Sequence, residues 1–160
     1  MPRSEAAELV DALRSKGLRM SAAESCTGGL LGAEITSIPG ASDVFLGSAV
    51  TYSNESKVSI LGVSESTLMD YGAVSTETAR EMAKGSVKAY GSDVAVSITG
   101  IAGPGGGTSE KPVGTVCMAV SDGNREVATK FIFEGNREAV REQSVAEACM
   151  LLVDFIGGRL

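Results

Sequence analysis

The sequence contains no histidine among its 160 residues. A chain without histidine cannot build a Ser-His-Asp or Cys-His triad, and it cannot hold a metal ion through imidazole ligands. Any general base in a catalytic site of this protein must therefore be another kind of side chain.

Cysteine is scarce and irregularly placed. Cys26, Cys117 and Cys149 lie far apart, are odd in number and include no C-x-x-C pair. This pattern indicates free thiols in a reducing compartment rather than a disulfide framework or a zinc site. Cys117 and Cys149 lie in apolar segments, so we expect both to be core thiols.

The sequence also has no run rich in Lys and Arg. It contains 14 Lys and Arg residues against 20 Asp and Glu residues, which gives a net charge of −6. Nucleic acids are bound mainly through clustered positive charge, so the sequence predicts no nucleic-acid partner. The first twenty residues are interrupted by charged side chains and contain no signal-peptide core, and no later apolar stretch is long enough to span a bilayer. We expect no membrane partner and a cytoplasmic location.

The order of the predicted elements indicates an α/β fold. Apolar periodicity predicts helices over residues 4–16, 27–36, 54–61, from 64, 75–90 and 136–156, and strands over residues 18–24, 45–52, 93–99, 113–120 and 125–133. Asp122-Gly123 predicts a tight turn between the last two strands, which should then pair antiparallel. We predict one domain over residues 1–160, a three-layer α/β/α sandwich whose mixed sheet includes one antiparallel hairpin.

The segment Glu24-Ser25-Cys26-Thr27-Gly28-Gly29 is the first that could carry chemistry. It lies at a predicted junction between a strand and a helix, where unpaired backbone N–H groups can stabilise an oxyanion or bind a phosphate. The glycines allow a ligand to approach the main chain closely. The alternative is an ordinary helix start with Thr27 as its cap.

Lys57 follows the second predicted strand, on a short helix for which Asn54 is the predicted cap. A single lysine is most often solvated. A serine nucleophile in a chain without histidine needs another base, however, and a partly desolvated lysine can have its pKa lowered enough to serve. The hydroxyl of Tyr52 could relay or orient the proton.

A glycine-rich loop over residues 100–107 follows the third predicted strand. It matches neither G-x-x-x-x-G-K-[ST] nor G-x-G-x-x-G, so it is no nucleotide-binding loop of those two kinds. Its place at the carboxyl end of a strand favours a loop that cradles a ligand over a merely flexible turn.

Arg137 and Arg141 open the last predicted helix. Arginine is mildly disfavoured near a helix N-terminus unless an anion lies nearby, and a phosphate would explain both residues. The alternative is a surface salt bridge to Glu134 or Glu138, which we favour for Arg141.

Taken together, these segments resemble the CinA C-terminal family, the nicotinamide-nucleotide amidohydrolases also called NMN deamidases. The resembling blocks follow one another along nearly the whole chain: Ala23-Glu24-Ser25-Cys26-Thr27-Gly28-Gly29, Tyr52-Ser53-Asn54 with Lys57, Gly72-Ala73-Val74-Ser75, Thr99-Gly100-Ile101-Ala102-Gly103-Pro104 and Lys111-Pro112-Val113-Gly114-Thr115-Val116. Many members carry a larger N-terminal domain that resembles molybdopterin-binding proteins, and we transfer none of its functions.

The resemblance implies hydrolysis of nicotinamide mononucleotide to nicotinic acid mononucleotide and ammonia, a step of pyridine-nucleotide recycling. It implies no metal and no cofactor, a small nucleotide as substrate, and a homodimer or larger homo-oligomer. It makes Ser25 the nucleophile, Lys57 its base and Tyr52 an assisting hydroxyl. The implied substrate-binding residues are Thr27, Gly28, Gly29, Thr99, Gly100, Gly103 and, for the phosphate, Arg137.

In the predicted mechanism Lys57 removes the proton of Ser25, backbone amides near Gly28 and Gly29 stabilise the oxyanion, and water hydrolyses the acyl-serine. Two alternatives stay open. Cys26 could be the nucleophile, because a thiol at a helix N-terminus can have a lowered pKa. The domain could also be a non-catalytic sensor that binds pyridine nucleotides without turnover.

Overall fold

The computed structural model describes residues 3–160, which form a five-stranded sheet and six α-helices. The strands are β1 (Met20–Glu24), β2 (Phe45–Val50), β3 (Val94–Gly100), β4 (Thr115–Ser121) and β5 (Glu126–Ile132). The helices are α1 (Arg3–Lys16), α2 (Leu30–Thr36), α3 (Asn54–Leu61), α4 (Glu65–Tyr71), α5 (Thr76–Tyr90) and α6 (Arg137–Ile156). No helix within residues 3–160 is both long and apolar enough to cross a membrane.

The sheet is mixed and has the strand order β2-β1-β3-β4-β5. β1 lies parallel to both β2 and β3, whereas β4 pairs antiparallel with β3 and with β5. The predicted hairpin is confirmed: Asp122 Oδ1 accepts the N–H groups of Asn124 and Arg125 at the turn between β4 and β5. β3 and β4 also pair antiparallel, because the glycine-rich loop joins them without the crossover helix that a parallel pair requires.

Helices cover both faces of the sheet, which confirms the predicted three-layer α/β/α fold. One face packs against α1, α2 and α6, and the other packs against α5, with α3 and α4 lying against α5. The apolar stripes predicted for α1 and α6 are buried, namely Ala6, Leu9, Val10, Leu13, Val140, Val145, Ala148, Leu152 and Phe155.

Side-chain caps start three of the helices. Ser75 and Asn136 accept backbone N–H groups at the starts of α5 and α6, where the sequence predicts helix starts. The prediction that Asn54 caps α3 is wrong by one residue, since Ser53 Oγ accepts the Ser56 N–H at 3.1 Å. Serine and asparagine cap equally well, so the sequence did not distinguish these neighbours.

Small side chains on the sheet bring α5 close to it. Ser21 Oγ lies 2.7 Å from Ser86 Oγ, and Ser97 Oγ donates to the Ala79 carbonyl at 2.6 Å. These short polar contacts tie α5 to β1 and β3. The position of α5 then determines where α3 can lie.

α3 and α5 contact each other at Gly85 of α5. A Cβ atom placed on Gly85 would overlap the carbonyl oxygen of Leu61, the last residue of α3. Glycine is therefore required here by the close approach of two backbones. Because α3 also carries Lys57, this contact helps to set the position of that side chain.

We expect Gly85→Ala to destabilise the protein. Overpacking costs about 1–3 kcal/mol, which outweighs the gain of up to about 1 kcal/mol from replacing glycine by alanine in a helix. Urea unfolding should show the loss, while Lys88→Ala on the exposed side of α5 should stay within about 0.5 kcal/mol of the unaltered chain. A Gly85→Ala variant that is more stable than the parent would contradict this view of the contact.

Candidate active site

The carboxyl ends of three parallel strands meet at one edge of the sheet. Ser25 directly follows β1, Thr51 follows β2 and Ile101 follows β3, and β1 lies between the other two. Ligands gather at such strand ends in open α/β sheets. A cavity of about 310 Å³ opens here, lined by Ser25, Cys26, Tyr52, Lys57, Ala73, Val74, Thr99, Gly100, Ile101, Ala102, Gly103, Gly105, Gly106 and Arg137.

The amine of Lys57 contacts the hydroxyl of Ser25 directly. Lys57 Nζ lies 2.9 Å from Ser25 Oγ, 2.7 Å from the Thr51 carbonyl oxygen and 3.4 Å from the Tyr52 carbonyl oxygen. A single lysine in a sequence is most often solvated, but Lys57 is only 1% exposed. The geometry on which the Ser25–Lys57 pairing depends is thus present.

Burial lowers the pKa of the Lys57 ammonium below its ordinary value of 10.5. Within residues 3–160 no carboxylate oxygen forms an ion pair with Lys57 to oppose this shift. A buried lysine without a counter-ion favours the neutral amine, which is the form that can accept a proton.

Tyr52 and Arg137 meet at the mouth of the cavity. Tyr52 is 64% exposed, and its hydroxyl accepts from Arg137 Nη2 at 3.4 Å. Arg137 Nη1 donates to the Gly103 carbonyl at 2.7 Å, which ties α6 to the glycine-rich loop. In this structure the Tyr52 hydroxyl is bonded to Arg137 and not to Ser25 or Lys57, so its role as an assisting hydroxyl stays a prediction.

The glycine-rich loop supplies one wall of the cavity. Thr99, Gly100 and Gly103, all predicted to bind substrate, line it. Thr99 Oγ1 donates to the Ala73 carbonyl at 2.8 Å, which holds the segment before α5 against the loop.

The predicted roles of Thr27, Gly28 and Gly29 need correction. None of the three lines the cavity, and Thr27 is fully buried. Thr27 does not cap α2: the N-cap position is Gly29, and Thr27 Oγ1 donates instead to Glu24 Oε1 at 2.7 Å. The Gly28 N–H donates to the Ser25 carbonyl and the Gly29 N–H to Glu24, so neither amide is available to an oxyanion.

Arg141 also departs from the prediction. It forms no salt bridge with the predicted partners Glu134 and Glu138, which both belong to the described residues. Instead its Nε donates to the Cys26 carbonyl at 3.2 Å and its Nη2 to the Thr27 carbonyl at 2.9 Å. The guanidinium thereby holds the turn that follows Ser25 from the side of α6. Long-range contacts to backbone carbonyls leave no local pattern, so the sequence offered no signal for this role.

The three thiols are free and buried, as predicted for Cys117 and Cys149. Cys26 lines the cavity but is only 6% exposed, and burial raises its pKa to about 11. The lowered pKa expected of a helix N-terminus is therefore wrong, because α2 begins only at Leu30. Within residues 3–160 no group of three or more His, Cys, Asp and Glu side chains is placed to hold a metal ion.

Comparison with known proteins identifies the family. The family model described as the CinA C-terminal domain matches residues 3–156. The chain belongs to the CinA C-terminal domain family. A CinA-like protein of Chloroherpeton thalassium is 49% identical over 157 residues, which are 96% of this chain and 37% of that protein. A CinA-like protein of Syntrophobacter fumaroxidans is 52% identical over 88% of this chain and 33% of its own length. The chain thus spans about a third of the length of these CinA relatives.

Solved CinA structures share the fold over almost the whole chain. The competence/damage inducible protein CihA from Agrobacterium tumefaciens has a TM-score of 0.93 at 38% identity, covering 98% of this chain and 95% of its own. A CinA superfamily protein from Klebsiella pneumoniae has a TM-score of 0.95 at 33% identity, covering 99% of both chains. These likenesses support the α/β architecture described above.

We expect the stability of this CinA domain to depend on pH through Lys57. Because its pKa is lowered by folding, the folded state binds fewer protons than the unfolded state between that lowered pKa and 10.5, and stability rises with pH in this range. Urea unfolding at a series of pH values should show the free energy of unfolding of the parent rising relative to Lys57→Met. Lys88→Met, at an exposed position, should track the parent; a flat or falling difference for Lys57→Met would refute the linkage.

Proposed function

We propose that the chain hydrolyses the carboxamide of nicotinamide mononucleotide to nicotinic acid mononucleotide and ammonia, with Ser25 as nucleophile and Lys57 as base. The observation that carries the proposal is the 2.9 Å contact between Lys57 Nζ and Ser25 Oγ, buried at one end of a cavity. A nucleophile within hydrogen-bond reach of its base is the geometry that covalent catalysis requires.

The surroundings of Lys57 suit a neutral amine. Such an amine has two N–H groups and one lone pair. The carbonyls of Thr51 and Tyr52 can accept the two N–H groups, which directs the lone pair toward the hydroxyl of Ser25. The same contacts would hold the ammonium that forms when the serine proton is transferred.

The reaction then proceeds in two steps. Ser25 Oγ bonds to the amide carbon while its proton passes to Lys57; the C–N bond breaks, and the lysine proton leaves with ammonia. Water attacks the acyl-serine with Lys57 again as base, and the proton returns to Ser25. Nicotinic acid mononucleotide is released, and the enzyme is regenerated.

The N–H group of Cys26 is our candidate for an oxyanion donor, in place of those of Gly28 and Gly29. Cys26 lines the cavity, and its N–H group has no acceptor within residues 3–160. Arg141 holds this turn from the side of α6, because its Nε donates to the Cys26 carbonyl. A preorganised backbone donor of this kind stabilises a tetrahedral oxyanion.

We assign the ribose and phosphate of the nucleotide to the mouth of the cavity. Arg137 stands at the mouth beside Gly103 and the exposed Tyr52, where its guanidinium could bind the phosphate. Binding energy from the phosphate and ribose, remote from the amide, would position the reacting carbon at Ser25.

The deciding experiment is a coupled ammonia assay with nicotinamide mononucleotide. We expect turnover by the parent and a loss of at least about 1,000-fold in Ser25→Ala and Lys57→Met, with folding retained by circular dichroism. Lys88→Met is the matched control and should keep full activity. Calorimetric binding of the nucleotide by the parent with no release of ammonia would instead establish the sensor alternative.

Cys26 is not expected to be the nucleophile, because burial holds its thiol protonated at neutral pH. Cys26→Ala should retain turnover within about tenfold, since it removes a cavity wall but no reacting group. Iodoacetamide should label Cys26 far more slowly in the folded protein than in urea. Complete loss of activity in Cys26→Ala, with Ser25→Ala still active, would reverse the assignment.

A further inference from the structure

Glu24 is a charged side chain that the proposed mechanism does not use, although it immediately precedes Ser25. It is fully buried, and it does not line the cavity. Its carboxylate accepts hydrogen bonds from Thr27 Oγ1 (2.7 Å), Gly29 N (3.2 Å) and Leu31 N (2.9 Å) at Oε1, and from Gly32 N (3.1 Å) and Ser48 Oγ (2.6 Å) at Oε2.

These hydrogen bonds link Glu24, the residue before Ser25, to the residues that follow Ser25 in the turn. The backbone of Glu24 is paired with Val50 of β2 and with Ile98 of β3, so its position in the sheet is set on both sides. The side chain of the same residue holds the turn at Thr27 and Gly29. Ser25 and Cys26 therefore lie in a short segment that a single residue, Glu24, anchors at both ends, by its backbone at one end and by its side chain at the other.

From this arrangement we propose that Glu24 is a positioning residue for Ser25, the nucleophile of the proposed function. It keeps the Ser25 hydroxyl facing Lys57 and the Cys26 N–H group facing the site of the oxyanion. Arg141 supports the opposite side of the turn through the Cys26 and Thr27 carbonyls.

The chemistry of the five donors makes the carboxylate hard to replace. Each oxygen accepts at least one backbone N–H, a group that can only donate. Glutamine has nearly the same shape, but an NH₂ group replaces one of the two oxygens. In either orientation of the amide, this NH₂ group would lie against a backbone N–H, and two donors cannot form a hydrogen bond with each other. Glu24→Gln should thus loosen the turn while adding no bulk.

The test compares Glu24→Gln with Glu34→Gln. Glu34 is the matched control, because it is a buried carboxylate of α2, 4% exposed, that lies outside the cavity and whose Oε2 has no partner within residues 3–160. Since Glu24 does not line the cavity, we expect Glu24→Gln to lower kcat about 10- to 100-fold with KM changed less than about threefold. Glu34→Gln should leave both constants unchanged.

A second readout separates this inference from the proposed function. A fluorophosphonate labels an activated serine without needing the correct substrate, and we expect its rate of reaction with Ser25 to fall in Glu24→Gln in parallel with kcat. If the parent is labelled but releases no ammonia from nicotinamide mononucleotide, the proposed function fails while the positioning role can still be measured. If Glu24→Gln folds and is labelled as fast as the parent, the positioning role is refuted.

If Glu24→Gln does not fold, Thr27→Val and Ser48→Ala carry the test. Each variant removes one hydroxyl donor to Glu24, but Thr27 lies inside the turn and Ser48 lies on β2, outside it. If Glu24 positions Ser25, Thr27→Val should slow labelling and turnover more than Ser48→Ala does, even where the two variants lose the same free energy of unfolding. Equal effects that follow stability alone would show that Glu24 has only a structural role.

Discussion

The burial of the Lys57 amine without a counter-ion is the constraint on which the site depends. An amine in contact with a carboxylate would be held as an ammonium and could not act as a base, whereas an exposed amine would keep its ordinary pKa. Lys57 avoids both conditions, since it is 1% exposed and is surrounded by two carbonyls and one hydroxyl. Desolvation alone then favours the neutral form.

The fold directs the buried carboxylate of Glu24 away from this amine. Glu24 and Ser25 are adjacent in sequence, but the side chain of Glu24 turns toward α2 while the hydroxyl of Ser25 turns toward α3. All the bonds to Glu24 come from neutral groups of the turn, of α2 and of β2. The nucleophile therefore lies between a fully hydrogen-bonded carboxylate on one side and a desolvated base on the other.

Close helix packing on the other face of the sheet completes the arrangement. Small residues on β1 and β3 allow α5 to pack closely against the sheet, and Gly85 of α5 allows α3 to pack closely against α5. The position of the amine beside Ser25 thus depends in part on the contact of two backbones at Gly85, a residue that does not line the cavity. Protein interiors are densely packed, so a displacement at such a contact is transmitted to the site.

Much of the fold was predictable because its signals are local. Apolar periodicity, the Asp122-Gly123 turn and the helix-starting residues indicated every long helix and strand. The lack of histidine indicated that a serine nucleophile such as Ser25 would need another base, for which Lys57 was the candidate. Element ends were less certain: a run of capping residues such as Ser53-Asn54 allows more than one helix start. The second antiparallel pair, β3 with β4, was not predicted, although no helix lies between these two strands.

The sequence by itself determined the α/β class, the family and the two residues that form the Ser25–Lys57 pair. Only the tertiary structure decided that Arg141 holds carbonyls of the turn, that Glu24 takes the Gly29 amide, and that Cys26 is too buried to ionise readily. The physical reason is that periodicity and caps arise between residues close in the chain. Desolvation and long-range hydrogen bonds depend on which distant segments surround a group, and no local pattern records them.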